Sequence, residues 1–115
     1  MYRYNAKLDR VVDGDTIDAL VDLGFDIWKK VRIRMVGMNA PESRTKDLEE
    51  KKLGLAAKNR LKEILNSNND IFTLQSQGVG KYGRCLGEIF IEENISINQT
   101  LINEGYATEY YGGAR

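Results

Sequence analysis

The sequence predicts a β-barrel with helices, an α+β chain of five strands with one longer helix between strands three and four and a short helix after strand five. Three observations carry this prediction. Apolar and polar residues alternate from 16 to 38, switch to a helical period between 48 and 66, and return to alternation after 70. A period of two suits a strand with one buried face, and a period near 3.6 suits an amphipathic helix.

In chain order, residues 5–12 make the first arm of a hairpin whose turn is Asp13-Gly14-Asp15. Ile17, Ala19, Val21 and Leu23 alternate with Thr16, Asp18 and Asp22 to give the second arm, which Gly24 ends. Val31, Ile33 and Met35 alternate with Arg32 and Arg34 in a third strand over roughly 27–38. Leu53, Ala57, Leu61, Ile64 and Leu65 then share one face of a helix across 48–66, with Lys58, Arg60, Lys62 and Glu63 largely opposite. The run Asn66-Ser67-Asn68-Asn69 stops that helix and leads to a strand near 71–75. A Gly-rich loop at 77–83 precedes a fifth strand over 85–92. Ser96-Ile97-Asn98-Gln99 matches a capping box that opens a short helix, and Gly105 closes it. This order is that of an OB-like five-stranded barrel with an appended helix.

Composition narrows the chemistry. The 115 residues carry no repeat or linker-like segment, so one domain over 1–115 is expected. Cys85 is the only cysteine and there is no histidine, which removes an internal disulfide, structural zinc and His-activated nucleophiles. Any metal must be held by oxygen. No apolar run approaches the roughly 18–20 residues of a membrane span, and no apolar segment follows Met1 as in an export signal. A cytoplasmic protein without membrane contact is the expectation, with secretion left open for a trimmed chain. Net charge is zero, yet residues 1–62 hold 14 Lys/Arg against 10 Asp/Glu while 63–115 hold 3 against 7. A nucleic-acid surface, if there is one, belongs mainly to the N-terminal half, against the plainer reading of ordinary solvated charges. Gly78-Val79-Gly80 lacks the spacing of a P-loop and enters a strand, so a nucleotide-cradling loop is rejected.

Two segments and a third short one stand out: Val12-Asp13-Gly14-Asp15-Thr16-Ile17, the run from Val31 to Glu42 containing Arg34, Asn39, Ala40 and Pro41, and Lys81-Tyr82-Gly83-Arg84. They resemble the DGDT, R-x4-D-x-P-E and YGR motifs of the staphylococcal nuclease (thermonuclease) family, in order and in internal spacing. The resemblance runs from about residue 5 to residue 111. One such motif is weak, since DG turns and PE helix entries are common, but three in order on the strands just derived are specific.

The resemblance implies a metal-dependent endonuclease acting on DNA, RNA or both. Phosphodiester hydrolysis needs charge neutralisation at the phosphate, an oriented water and a route for the leaving-group proton. Asp15 would hold a hard cation such as Ca²⁺, together with the amide oxygen of Asn39 and the backbone carbonyl of Ala40. Its plainer role is turn stabilisation. Arg34 would grip the phosphate, or else form a salt bridge with a nearby aspartate. Arg32 shares its face and competes for the role by local pattern, but spacing to Pro41-Glu42 selects Arg34. Glu42 would act on the attacking water, against the plainer reading of a solvated helix-entry carboxylate. Arg84 would brace the transition state or be a surface arginine. Tyr82 and Tyr111 would contact the nucleotide or cap the core. Trp28 and Cys85 read as packing residues.

The sequence departs from the family at Asn39, where a second metal-binding aspartate is usual, and this predicts weaker Ca²⁺ binding. It also lacks the further C-terminal helix of longer relatives, which leaves a monomer or weak homodimer as the expectation. The competing reading is a module of the same fold that binds nucleic acid or protein without turnover.

Overall fold

A computed structural model describes residues 2–80 and 83–110. Its strands are β1 (Tyr2–Asp13), β2 (Thr16–Asp22), β3 (Trp28–Met35), β4 (Met38–Asn39), β5 (Ile71–Val79), β6 (Cys85–Ile91), β7 (Ile95–Ser96) and β8 (Thr108–Glu109). Helix α1 (Leu48–Ser67) separates β4 from β5, and α2 (Ile97–Asn103) follows β7. The order β3-β2-β1-β5-β6 closes on itself because β6 also pairs with β3, in parallel, with Ile33 opposite Cys85 and Arg34 opposite Leu86. Closure gives the five-stranded barrel expected from the alternation.

β1 is the strand that makes closure work. It runs on from the expected 5–12 to span Tyr2–Asp13, pairs with β2 from Ala6 to Asp13 and with β5 from Tyr2 to Lys7, and is bent by bulges between Leu8 and Arg10 and between Val11 and Asp13. A bulge inserts an unpaired residue and sharpens twist, which lets one long strand serve two neighbours. Ala6, Val11, Ile17, Ala19, Val21, Ile33, Met35, Phe72, Leu74 and Ile89 fill the interior. Ala57, Leu61, Ile64 and Leu65 of α1 and Ile97 and Leu101 of α2 join the same core.

Several boundaries and assignments differ from the expectation. The third strand stops at Met35 instead of running to 38: Gly37, with φ of 76°, reverses the chain, and Met38–Asn39 pairs with Thr108–Glu109 in a separate two-stranded sheet. Leu53 is 61% exposed, so the buried face of α1 begins with Gly54 and Ala57. Trp28 is 49% exposed and does not pack in the core. The capping box is half formed. Ser96 Oγ accepts from Gln99 N at 3.1 Å, but the Gln99 side chain turns to Asn103. No helix among the described residues is long and apolar enough to cross a membrane.

Candidate active site

The β1–β2 turn and the segment after β3 meet where the barrel touches α1. Gly14 makes this contact feasible: a Cβ there would lie 2.7 Å from the Ala57 Cβ and 3.0 Å from that of Ala40. The turn can therefore press into the groove between helix and loop, which carries Asp15 below the surface.

Asp15 is almost fully buried, and its carboxylate is tied on both oxygens. Oδ1 accepts from the Thr16 hydroxyl at 2.9 Å, and Oδ2 accepts from Ala40 N at 3.1 Å. Arg34 Nη2 stands 3.5 Å from the same Oδ2. The Arg34 guanidinium, also buried, donates from Nη1 to Met35 O at 2.6 Å and from Nη2 to Met38 O at 3.1 Å, with the Asn39 amide oxygen at 3.5 Å. Asp15, Arg34, Asn39 and Ala40 are thus one hydrogen-bonded cluster, assembled across 25 residues of chain. A buried carboxylate and guanidinium stabilise each other only when their remaining donors and acceptors are also met, and here the turn at 35–40 meets them. The salt-bridge reading of Arg34 is realised, with Asp15 as its partner.

Glu42 lies three residues beyond Asn39, exposed, with its carboxylate in no hydrogen bond or ion pair among the described residues. Its backbone is held tightly instead. Its N–H donates to Glu50 Oε1 at 3.4 Å, and its carbonyl sits on Gly54 of α1, where a Cβ would be 2.2 Å from that oxygen. The next residue, Ser43, is buried with its hydroxyl on Asp13, and its N–H donates to the same carboxylate at 3.3 Å. Asp13 therefore ties the Glu42 loop to the turn that carries Asp15.

Arg84 directly precedes β6, is half-buried, and accepts from Gly80 N through its carbonyl at 2.8 Å. Arg84 directly precedes the parallel pairing that sets Ile33 opposite Cys85 and Arg34 opposite Leu86, so the chain at Arg84 enters the barrel beside the Arg34 end of β3. Tyr82 and Tyr111 lie outside the described residues. Cys85 is half-buried near Ser76.

Among the described residues no three His, Cys, Asp or Glu side chains gather closely enough to hold a metal ion. The oxygen donors that the resemblance assigns to a metal here are the Asp15 carboxylate, the Asn39 amide oxygen and the Ala40 backbone carbonyl. Such a set suits a hard cation that takes its remaining oxygens from water and substrate, and its single negative charge suits it only weakly. A groove of about 900 Å³ borders the cluster, lined by Asn39, Ala40 and Glu42. It also carries Asp47, Glu49, Glu50 and Glu104, which makes this groove acidic and unfavourable to anions.

A family model for staphylococcal nuclease homologues matches residues 32–114, a stretch that holds Arg34, Asn39, Ala40, Glu42 and Arg84. The chain belongs to the staphylococcal nuclease family. Among relatives, it is 34% identical over 114 residues to Endonuclease YhcR of Bacillus subtilis, covering 94% of this chain and 9% of that protein. It is 31% identical to Endonuclease YncB of the same organism, covering 93% and 48%, and 29% identical to Micrococcal nuclease of Shigella flexneri, covering 95% and 61%. The chain spans less than two thirds of the length of each of these relatives. The family's barrel explains the cluster's place: closure through β3 and β6 is what brings Arg34 beside the strand that begins after Arg84.

Several residues that hold the site were not singled out in the sequence. Asn98 is buried in α2, accepts from Ile89 N at 3.1 Å and donates to Val36 O at 2.8 Å, which fixes the turn after β3 to β6. Nothing in the local pattern marks it. Asp18 was legible as a polar strand residue, but its two arginine partners were not.

Proposed function

We propose that this chain is a Ca²⁺-dependent endonuclease that hydrolyses phosphodiester bonds of DNA, RNA or both. The observation that carries the proposal is the buried Asp15–Arg34–Asn39–Ala40 cluster, with the Glu42 loop anchored beside it. Asp15, the Asn39 amide oxygen and the Ala40 carbonyl are the residues that would hold Ca²⁺, whose bound charge offsets that of the phosphate. Arg34 and Arg84 offer guanidinium donors to phosphate oxygens, where negative charge grows toward the transition state. Glu42, exposed and without a competing cation among the described residues, takes a proton from water as that water adds at phosphorus. One P–O ester bond then breaks, the departing oxygen takes up a proton from solvent water, and Glu42 returns its proton to solvent. Arg34 also has work to do in the resting fold, so binding phosphate competes with the Met35 and Met38 carbonyls.

Denatured DNA and single-stranded RNA incubated with the protein in Ca²⁺ or in chelator test this reading. Fragments that form only with Ca²⁺ support it, and equal cleavage in chelator overturns it. The second reading, a binding module without turnover, is favoured by the neutral Asn39 and by the engagement of Arg34 with backbone carbonyls. Retained oligonucleotide binding without cleavage at saturating Ca²⁺ selects it.

A further inference from the structure

The cluster occupies one end of a longer feature that its chemistry does not use. Trp28, Lys30, Arg32 and Arg34 alternate along β3 and share its outer face, opposite Asp22, Leu20, Asp18 and Thr16 of β2. Successive members stand about 6.7 Å apart, close to the spacing of phosphates along an extended single strand. The midpoint is a bracket built from three strands. Asp18, nearly buried, accepts from Arg32 Nε at 2.8 Å and Nη2 at 3.1 Å, and from Arg10 Nε of β1 at 3.0 Å. One carboxylate thus orients two guanidinium groups and neutralises only one of them, while both arginine side chains stay substantially exposed. Lys30 next along is exposed, with its ammonium 3.2 Å from the exposed Asp9 carboxylate, a surface pair that a phosphate readily displaces.

The far end changes character. Trp28 leads into a hairpin tip that also exposes Leu23, Ile27 and Phe25, the last at 97%. Phe25 and Asp26 have φ of 56° and 62°, a left-handed conformation that bulky residues rarely adopt. An aromatic ring is therefore held in solvent by a strained turn, with no packing among the described residues to account for it.

Resting on the reading that the Arg34 end holds a phosphate, we propose that the outer face of β1–β3 is a track for single-stranded nucleic acid, with Arg10, Arg32 and Lys30 on its phosphates and Trp28 stacked on an unpaired base. A line of cations that starts at the cluster and ends on an aromatic selects a single strand. A duplex keeps its base faces stacked on each other and offers none to Trp28. A lipid surface would use the apolar tip and leave the line of cations idle.

Fluorescence anisotropy with a labelled twelve-nucleotide oligothymidine, in chelator so that no cleavage occurs, tests the track. Arg10→Ala/Lys30→Ala leaves Arg32 on Asp18, so the barrel keeps its internal pairing. Its log–log salt slope falls by about 1.4, two contacts at about 0.7 each for single strands. Lys51→Ala/Lys62→Ala on α1 removes the same charge elsewhere and leaves the slope as it was. Trp28→Ala weakens single-strand binding about tenfold and leaves a duplex of equal length unaffected. Equal slope losses in the two double variants, or no effect of Trp28→Ala, overturn the track. So does binding to anionic phosphatidylglycerol vesicles that Phe25→Ala abolishes while oligothymidine binding survives Trp28→Ala, an outcome that makes the tip a lipid contact. Because binding is read without turnover, a protein that binds along this face but never cuts removes the nuclease reading alone. One that cuts with unaltered binding in the variants removes the track alone.

Discussion

Gly54→Ala in α1 separates helix propensity from loop position, and the two effects have opposite signs. At an interior helix position, replacing glycine by alanine stabilises by about 1 kcal/mol. Here the new Cβ would stand 2.2 Å from Glu42 O, 2.4 Å from Glu42 C and 2.7 Å from Ser43 N. These are backbone atoms, so no side-chain rotation relieves the contact, and restoring ordinary separation displaces the 42–43 segment by about 1 Å. Overpacking of this kind costs about 1–3 kcal/mol, which leaves a net loss of about 0–2 kcal/mol. The displaced residue is the one proposed to act on water, and a shift of about 1 Å at such a group costs roughly a hundredfold in rate. Turnover of denatured DNA at saturating Ca²⁺ and urea unfolding of the same preparations measure both quantities, with Lys52→Ala, exposed on the same helix, as the control. Wild-type turnover together with a full gain of about 1 kcal/mol would refute the argument that α1 positions the Glu42 loop.

Three further outcomes are expected. The Arg32 hydrogen bonds, against the opposing effect of burial and with help from Arg10, hold the Asp18 carboxyl at about 2 instead of 3.8. Its lowered value makes the contribution fully present above pH 4 and lost as pH falls through about 2, so an Asp18→Asn variant should trail the wild type by up to about 2 kcal/mol near pH 5, with most of the gap gone at pH 2 and the two drawing level below it in urea titrations. An unchanged gap across that range would show that Asp18 is not held ionised. Arg34→Ala or Arg84→Ala should lower kcat by about 10²–10³ with little change in oligonucleotide affinity; a variant that binds more weakly but turns over normally would assign that arginine to ground-state binding. Asn39→Asp adds a carboxylate beside Asp15 and should lower the Ca²⁺ concentration for half-maximal activity while slightly destabilising the protein in chelator, both read in one Ca²⁺ titration of activity and melting temperature. An unmoved Ca²⁺ midpoint would remove Asn39 from the ligand set.

The sequence by itself determined the kind of elements and most of their limits, because the signals for them are local. Alternation across β2 and β3, the helical period from Ala57 to Leu65, the Ser96 cap and the closing Gly105 each depend on neighbours within a few residues. The motifs around Asp15, Arg34 and Arg84 were legible for the same reason. Local periodicity overreached where a distant partner decides burial. Leu53 fits the helical stripe, yet its end of α1 borders the open groove, and Trp28 lies at a hairpin tip, half exposed and outside the core.

Tertiary structure alone decided what holds the site. The Arg34–Asp15 pair, the seat of Glu42 on Gly54, the Asp13–Ser43 tie and the brace from Asn98 to Val36 join residues 12 to 62 positions apart, and no spacing rule encodes such contacts. They exist because barrel closure through the parallel β3–β6 pair, and the packing of α1 on the β1–β2 turn, bring buried polar groups together that must find partners once water is excluded. The arginine bracket on Asp18 has the same origin. Three adjacent strands in one register place two guanidinium groups on one carboxylate, and only the pairing of those strands reveals it.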